Sequence, residues 1–158
     1  MASDPETPTA ETDENYSEIL DAGWDVVGPL TRLGSLQDRV FRLDTDSEPS
    51  AVLKFSTGDR ADETALLAEA ELLQHLRRAW PSLRLPLLLP GSDGKLLQRR
   101  GTVVARKMQW VGGLALARAS HWTTSSMYAL GSVSGRISKS LSGFDHPGLA
   151  WDCTKASI

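Results

Sequence analysis

Residues 30–55 read LTRLGSLQDRVFRLDTDSEPSAVLKF, and this stretch decides the fold that the sequence predicts. Basic and apolar residues alternate over Arg39–Leu43, which is the period-two pattern of a half-buried strand. Strand-like runs also occupy Leu30–Leu33 and residues 51–55, and the turn-forming sequence DTDSEPS fills residues 44–50. We therefore predict strands that pair as an antiparallel hairpin or meander.

Beyond this stretch the spacing of apolar residues changes from the pattern of strands to that of a helix. Apolar residues at helical spacing predict a helix that is capped by Asp62 or Thr64, runs to Arg78 and is stopped by Pro81. Weaker patterns predict a helical turn at 16–22, strands at 24–27 and 102–111, an extended segment at 83–90, a turn at 92–94 and a second helix at 120–141. Strands grouped with one packed helix favour an antiparallel α+β layer over a parallel Rossmann sheet.

Composition excludes several classes of function. The 158 residues are 41% hydrophobic and 23% charged, which is typical of a soluble globular domain. The longest apolar run, residues 83–89, is interrupted by Arg84 and Pro86, so it is too short and too polar for a membrane helix. A net charge of −3 gives no reason to expect nucleic acid as a partner.

The cysteine, the histidines and the first residues of the chain exclude further kinds of site and of targeting segment. Cys153 is the single cysteine, which excludes an intrachain disulfide and a site built on several thiolates, and the histidines lack metal-ligand spacing. Residues 1–15 are acidic, without Lys or Arg, and we predict a disordered tail there rather than a signal peptide. These features indicate a cytoplasmic protein.

Lys54 is the first candidate for chemistry, because it lies inside an apolar strand. A lysine in that position is costly unless its ammonium group finds an anion. It could be a phosphate-binding lysine, or it could lie on the exposed face of an edge strand. Glu69, in the following helix close to the apolar stripe, could pair with Lys54 as a helix glutamate does with the strand lysine of protein kinases. Alternatively, Glu69 is a solvated surface acid.

Two further segments could contact a nucleotide. The turn that contains Ser35 and Asp38 lies between two strands and could offer backbone N–H groups to phosphate. It has one glycine and neither GxGxxG nor GxxxxGK[ST], so it could equally be an ordinary turn. The second segment ends a strand just before two glycines, where its backbone could bind a purine edge. It comprises Met108, Gln109, Trp110 and Val111.

Together these segments resemble the N-terminal part of the aminoglycoside-phosphotransferase or choline-kinase-like family, and most closely its hydroxylysine-kinase-like branch. The resemblance covers about residues 28–152. It is carried by GPLTRLGSLQDRVFRL, AVLKF, AEAELLQHL, RLPLLLPGSDGK, VVARKMQWVGGLALA and LSGFDHPGLAWD. It implies a protein-kinase-like N-terminal lobe at 16–111, and a hinge with the truncated start of a C-terminal lobe at 112–158. The chain departs from the branch at Val40, where asparagine is usual.

The resemblance also implies roles for residues. Lys54 would bind the α- and β-phosphates of ATP or GTP, and Glu69 would be its partner. Ser35 and Asp38 would lie in the loop that covers the phosphates, and residues 108–111 would lie beside the base. The acceptor would be the hydroxyl group of a small amine or amino acid such as hydroxylysine.

The family's catalytic loop resembles H-x-D-x-x-x-x-N, and a metal-binding Asp follows it. His146 is the only candidate for its histidine, and no Asp stands two residues later. We therefore expect the Mg²⁺ ligands to lie in a missing C-terminal lobe and this chain to be inactive alone. The alternatives are a non-catalytic nucleotide-binding or interaction module, which would associate through a hinge-side apolar surface with Trp110, Trp122 and Trp151, and an unrelated α+β domain.

Overall fold

The computed structural model describes residues 19, 23–24, 28–35, 38–46, 48–113 and 122–149. They fall into two compact units. The sheet unit consists of the described residues within Met1–Glu63 and Leu88–Gln109. The helical unit consists of those within Thr64–Leu87 and Trp110–Ile158.

The sheet unit is an antiparallel sheet of six strands. Its spatial order is β1-β2-β3-β6-β4, and β5 also pairs with β6. The strands are β1 (Leu30–Leu33), β2 (Arg39–Leu43), β3 (Ala51–Ser56), β4 (Leu88–Leu89), β5 (Gln98–Arg100) and β6 (Val103–Gln109). The predicted fold class, an antiparallel sheet with helices in the manner of a kinase N-terminal lobe, is confirmed.

The register of the strands divides the sheet into two faces. Directly opposed residues of antiparallel strands share a face, and successive residues of one strand alternate between faces. Leu53 and Phe55 of β3 belong to the buried hydrophobic cluster, so we call their side the core face. Its other members are Ile19, Trp24, Leu43, Val103 and Ala105, with Phe41 packed against them. Lys54 lies on the opposite side, which we call the Lys54 face.

Trp24 corrects one prediction, because it is helical together with Gly23 and does not begin a strand. The Trp24 indole is buried in the core cluster, and its Nε1 donates to the Leu89 carbonyl oxygen at 3.4 Å. Gly23 packs so closely on Gln98 that an added Cβ would lie 2.7 Å from the Gln98 Cγ. A short apolar run is compatible with a buried helical turn as well as with a strand. Residues 25–27, and all of the predicted turn at 16–22 except Ile19, lie outside the described residues.

Strand β5 was not predicted, because its sequence QRR has no apolar alternation. It is held by its hairpin with β6, in which Gly101 turns the chain at a φ of 56°. Arg99 fixes it from the side, through an ion pair with Glu63 and a 2.8 Å hydrogen bond to the Ala61 carbonyl oxygen. Ala61 ends a short 3₁₀ helix that was also not predicted.

Two long helices form most of the helical unit. Helix α1 spans Glu63–Ala79 and begins directly after Asp62, one of its two predicted caps, and helix α2 spans Thr124–Leu141. Both predicted helices are confirmed, although α2 begins later than the predicted start. A capping box between Thr123 and Ser126 begins α2, and residues 120–121 of its predicted start lie outside the described part. No helix within the described residues is long and apolar enough to cross a membrane.

The two helices contact each other inside this unit. His75 of α1 forms a 2.9 Å hydrogen bond through Nε2 with the Ser140 carbonyl oxygen of α2. The Arg136 guanidinium lies 4.0 Å from the centroid of the Trp80 ring, which is a cation–π geometry. These contacts join the C-terminal half of α2 to the C-terminal half of α1 and to Trp80, which directly follows α1.

Candidate functional site

The Lys54 face carries a cluster of one carboxylate and two cations. The Asp38 Oδ2 lies 3.5 Å from the Lys54 Nζ and 3.4 Å from the Arg106 Nη2. The Ser56 hydroxyl bridges the cluster, because it donates to Asp38 Oδ1 at 3.0 Å and accepts from Arg106 Nη1 at 3.1 Å. We call these four residues the Asp38 cluster.

Three neighbouring strands bring the cluster together. Lys54 and Ser56 are two residues apart on β3 and therefore share a face. Arg106 of β6 lies directly opposite Lys54 in the register. Asp38 immediately precedes β2, which pairs with β3 on its other side. The Asp38 backbone N donates to the Ser35 Oγ at 3.3 Å.

Burial within the cluster decreases from Arg106 to Lys54. The exposed fraction of the side chain is 4% for Arg106, 12% for Asp38 and 26% for Lys54. A charge as buried as that of Arg106 is tolerated only when anions and hydrogen bonds compensate its desolvation, and Asp38 and Ser56 supply them here. Lys54 is consequently the cation of this cluster that an incoming anion reaches most easily.

An apolar strip lies beside these cations on the same face. Val40 is opposite Lys54, Val52 precedes Lys54 by two residues, and Val52 is in turn opposite Met108. Leu88 is the other partner of Met108 and is buried with it, whereas the two valines are half-buried. An apolar surface with a few converging polar groups at one end is the usual composition of a small-molecule site. This arrangement suits a ligand with a flat apolar part and an anionic part.

The sequence-predicted residues are distributed over both units. Asp38 and Lys54 are in contact, and the Ser35 Oγ accepts a hydrogen bond from the Asp38 backbone N. Glu69 lies within α1 in the helical unit, and its pairing with Lys54 stays a prediction.

The predicted base-binding segment follows the same division. Met108 and Gln109 end β6, and Trp110 and Val111 follow as irregular chain. Met108 is buried, and Gln109 and Val111 are exposed. Their role beside a base stays a prediction.

Sequence reasoning missed Arg106 and Ser56. Arg106 occurs in the run VVARKMQ, where a cation interrupts apolar residues as Lys54 does in AVLKF. The argument that singled out Lys54, that a cation inside an apolar strand needs an anion, therefore applied to Arg106 as well. Ser56 gave no comparable signal, because a serine at a strand end is common.

A metal centre has no support in the described part of the chain, where no group of three or more His, Cys, Asp or Glu side chains could hold an ion. His146, the candidate for a catalytic-loop histidine, has other contacts. Its Nε2 lies 3.5 Å from the Glu71 Oε2, and its Nδ1 accepts from the Gly148 backbone N at 3.0 Å.

Three solved structures with similar folds are named as kinases or phosphotransferases of small molecules. Amicoumacin kinase hAmiN, in complex with AMP-PNP, Ca²⁺ and Ami, matches 85% of this chain at a TM-score of 0.71 and 16% identity. The microcompartment-associated aminopropanol kinase matches 89% at 0.67 and 16%. Spectinomycin phosphotransferase APH(9)-Ia, in complex with ADP and spectinomycin, matches 80% at 0.58 and 14%.

These comparisons decide the fold. The chain has the fold of part of a kinase. It covers 41%, 44% and 37% of the three matched chains, and thus about two fifths of their length. No protein-family model matches the sequence, and no curated protein has significant sequence similarity to it.

Proposed function

We propose that this chain is the nucleotide-binding part of a small-molecule kinase of the aminoglycoside-phosphotransferase family, in its hydroxylysine-kinase-like branch. The observation that carries the proposal is the Asp38 cluster with its accessible Lys54 beside the apolar strip. The shared fold supports it, because one matched kinase is in complex with AMP-PNP and another with ADP.

We propose a separate task in nucleotide binding for each group of the predicted residues. The Lys54 ammonium would bind phosphate oxygens, since a compact point charge suits phosphate. The apolar strip would accept the flat base, and residues 108–111 would offer backbone groups to its edge. The turn of Ser35 and Asp38 would lie over the phosphates, and Glu69 would orient Lys54.

The proposed reaction is transfer of a phosphoryl group from ATP or GTP, with Mg²⁺, to the hydroxyl of a small amine or amino acid such as hydroxylysine, in the cytoplasm. Phosphoryl transfer depends on metal ligands and on a residue that orients the nucleophile. Residues 1–158 contain no H-x-D-x-x-x-x-N sequence. We therefore propose that they bind nucleotide without transferring its phosphate.

The test is isothermal titration of the chain with AMP-PNP and a GTP analogue, for the wild type and for Lys54→Met. Methionine keeps the length of the stem and removes the charge. Loss of a charge-assisted contact to phosphate should raise Kd roughly tenfold to hundredfold. Binding of adenosine or guanosine should change little.

Lys95→Met is the matched control. Lys95 has a 75% exposed side chain and pairs with Asp93 in a turn of the same unit. Its replacement removes the same charge at a distance from the proposed site and should leave Kd unaltered. Equal binding by wild type and Lys54→Met would refute the role of Lys54.

A second candidate function is a non-catalytic interaction module. It is favoured by the large apolar side chains that α2 and the residue before its cap expose, namely Trp122, Met127, Tyr128, Leu130 and Val133. Exposed apolar patches commonly mark association surfaces. The same titration separates the two candidates, because a folded chain that binds neither nucleotide favours the interaction module.

A further inference from the structure

The Asp38 carboxylate lies against the ammonium group that the proposed function assigns to phosphate. We propose that the Asp38 carboxylate competes with the nucleotide phosphate for Lys54. When a nucleotide binds, its phosphate replaces Asp38 at the Lys54 ammonium, while Arg106 and Ser56 keep Asp38 in place. This inference rests on the proposed function and identifies Asp38 as the residue that limits the contribution of the phosphates to affinity.

Exposure, more than distance, identifies Lys54 as the partner that Asp38 gives up most easily, because the Arg106 Nη2 lies at a similar distance of 3.4 Å from the carboxylate but is nearly buried. Ser56 donates to Asp38 at 3.0 Å, within the ordinary range of a hydrogen bond. The Lys54 Nζ is 3.5 Å away, beyond the 2.7–2.9 Å that is usual for a charge-assisted bond, and Lys54 is the most exposed of the three charged groups. Partly exposed ion pairs of long geometry contribute little free energy. Replacement of the carboxylate by a phosphate as the partner of Lys54 therefore costs little free energy.

Arg106 explains why Asp38 would stay where it is during this exchange. Its guanidinium is nearly buried, contacts both Asp38 and Ser56, and is held on a strand in the middle of the sheet. Separation of Asp38 from such a buried cation costs far more than separation from Lys54. The carboxylate would remain close to the bound phosphate and repel it.

Charge counting leads to a measurable consequence. Lys54 and Arg106 with Asp38 carry one net positive charge, and loss of the carboxylate charge would leave two. The affinity for a ligand with phosphates depends on this difference in charge, and the affinity for an uncharged nucleoside does not. Asp38 would thus lower the affinity for nucleoside diphosphates selectively.

The experiment compares wild type and Asp38→Asn by titration with ADP and with adenosine, and in the same way with GDP and guanosine. Asparagine keeps the shape and a hydrogen-bond acceptor for Ser56. We expect the diphosphate to bind roughly three- to tenfold more tightly in the variant, as the loss of a partly exposed repulsive pair suggests. Nucleoside affinity should change less than about twofold on the same reasoning.

The control is Asp93→Asn, which removes an equal charge from an exposed turn of the same unit and should leave both affinities unaltered. An unchanged or lower diphosphate affinity in Asp38→Asn would overturn the competitor role. If the affinity for the diphosphate falls while that for the nucleoside is unchanged, the Asp38 carboxylate assists phosphate binding instead of opposing it.

A second variant covers the case in which Asp38→Asn does not fold. Asp38→Asn combined with Arg106→Gln keeps one net positive charge on the cluster and removes the competing carboxylate. Tighter binding of ADP by this variant supports direct competition, and unchanged binding contradicts it. Failure of the proposed function is distinguishable, because then the wild type binds no diphosphate or binds it independently of Lys54.

Discussion

Arg106 and Lys107 are neighbours on β6 that point to opposite faces of one sheet, and each is a nearly buried cation with a carboxylate partner. Their side chains are 4% and 9% exposed. The Asp38 partner of Arg106 is 12% exposed, whereas the Glu48 partner of Lys107 is 58% exposed and comes from the loop between β2 and β3. The cost of burying a cation is therefore offset by an enclosed carboxylate, Asp38, on one face and by a solvated carboxylate, Glu48, on the other.

The difference teaches how the two faces divide their tasks. Lys107 reaches out of the core face to one exposed acid at 3.2 Å, and this is an arrangement that water can replace. Arg106 lies in a network in which a hydroxyl and a second cation share one carboxylate. Only the network places a partly exposed cation, Lys54, beside an apolar strip. A ligand site is thus expected on the Lys54 face.

The largest effect expected from this comparison is on stability. Arg106→Met should lower the free energy of unfolding by about 2–4 kcal/mol, because Asp38 stays largely buried after it loses a buried partner. Lys107→Met should cost less than about 1.5 kcal/mol, because Glu48 returns to water and an apolar side chain suits the core face. Urea unfolding of both variants measures the difference. Similar losses would show that the two cations are equivalent and would break the comparison.

A smaller effect is expected from the bridging hydroxyl. Ser56→Ala removes the group that accepts from Arg106 and donates to Asp38, so it should cost about 1–2 kcal/mol of unfolding free energy. Ser50→Ala is the matched control, since Ser50 donates to Asp44 in a more exposed setting and should cost less. If Ser56→Ala is as mild as Ser50→Ala, the network on the Lys54 face is not cooperative.

Much of the sheet could be predicted from the sequence, because its signals are local. The bounds of β1 follow from a strand-like run that ends at Gly34, and those of β2 from its mixture of basic and apolar residues before a turn-forming sequence, as the structure has them. Strand β5 and the helical Trp24 could not be predicted in this way. The first is held by its hairpin and by Arg99, and the second by burial against distant residues.

The candidate site was half predictable for a related reason. Lys54 is conspicuous as a cation within its own apolar strand. Its partner Asp38 lies directly before the strand that precedes it in the chain, so both could be singled out from the sequence. The contact of Asp38 with Arg106 joins residues 68 positions apart and depends on the pairing of β3 with β6. No local pattern states which strands are neighbours in a sheet. Arg106 was visible as a cation in an apolar run, but its partner was not.

The smallest effect concerns Asp44, an exposed carboxylate that shares the β2–β3 loop with Glu48. A hydrogen bond from Ser50, with a further contribution from Arg42, lowers the pKa of the Asp44 carboxyl below its ordinary value. A lowered pKa in the folded state adds stability that is present above the unfolded value and is lost as the pH falls through the folded value. Ser50→Ala should raise the pKa of Asp44 towards 3.8 and shift this loss to higher pH. Carboxyl-carbon NMR titration measures the shift directly, and an unaltered pKa of Asp44 in Ser50→Ala would assign its lowering to Arg42 instead. Because the loop carboxylates are solvated, this change should leave diphosphate binding on the Lys54 face as it was.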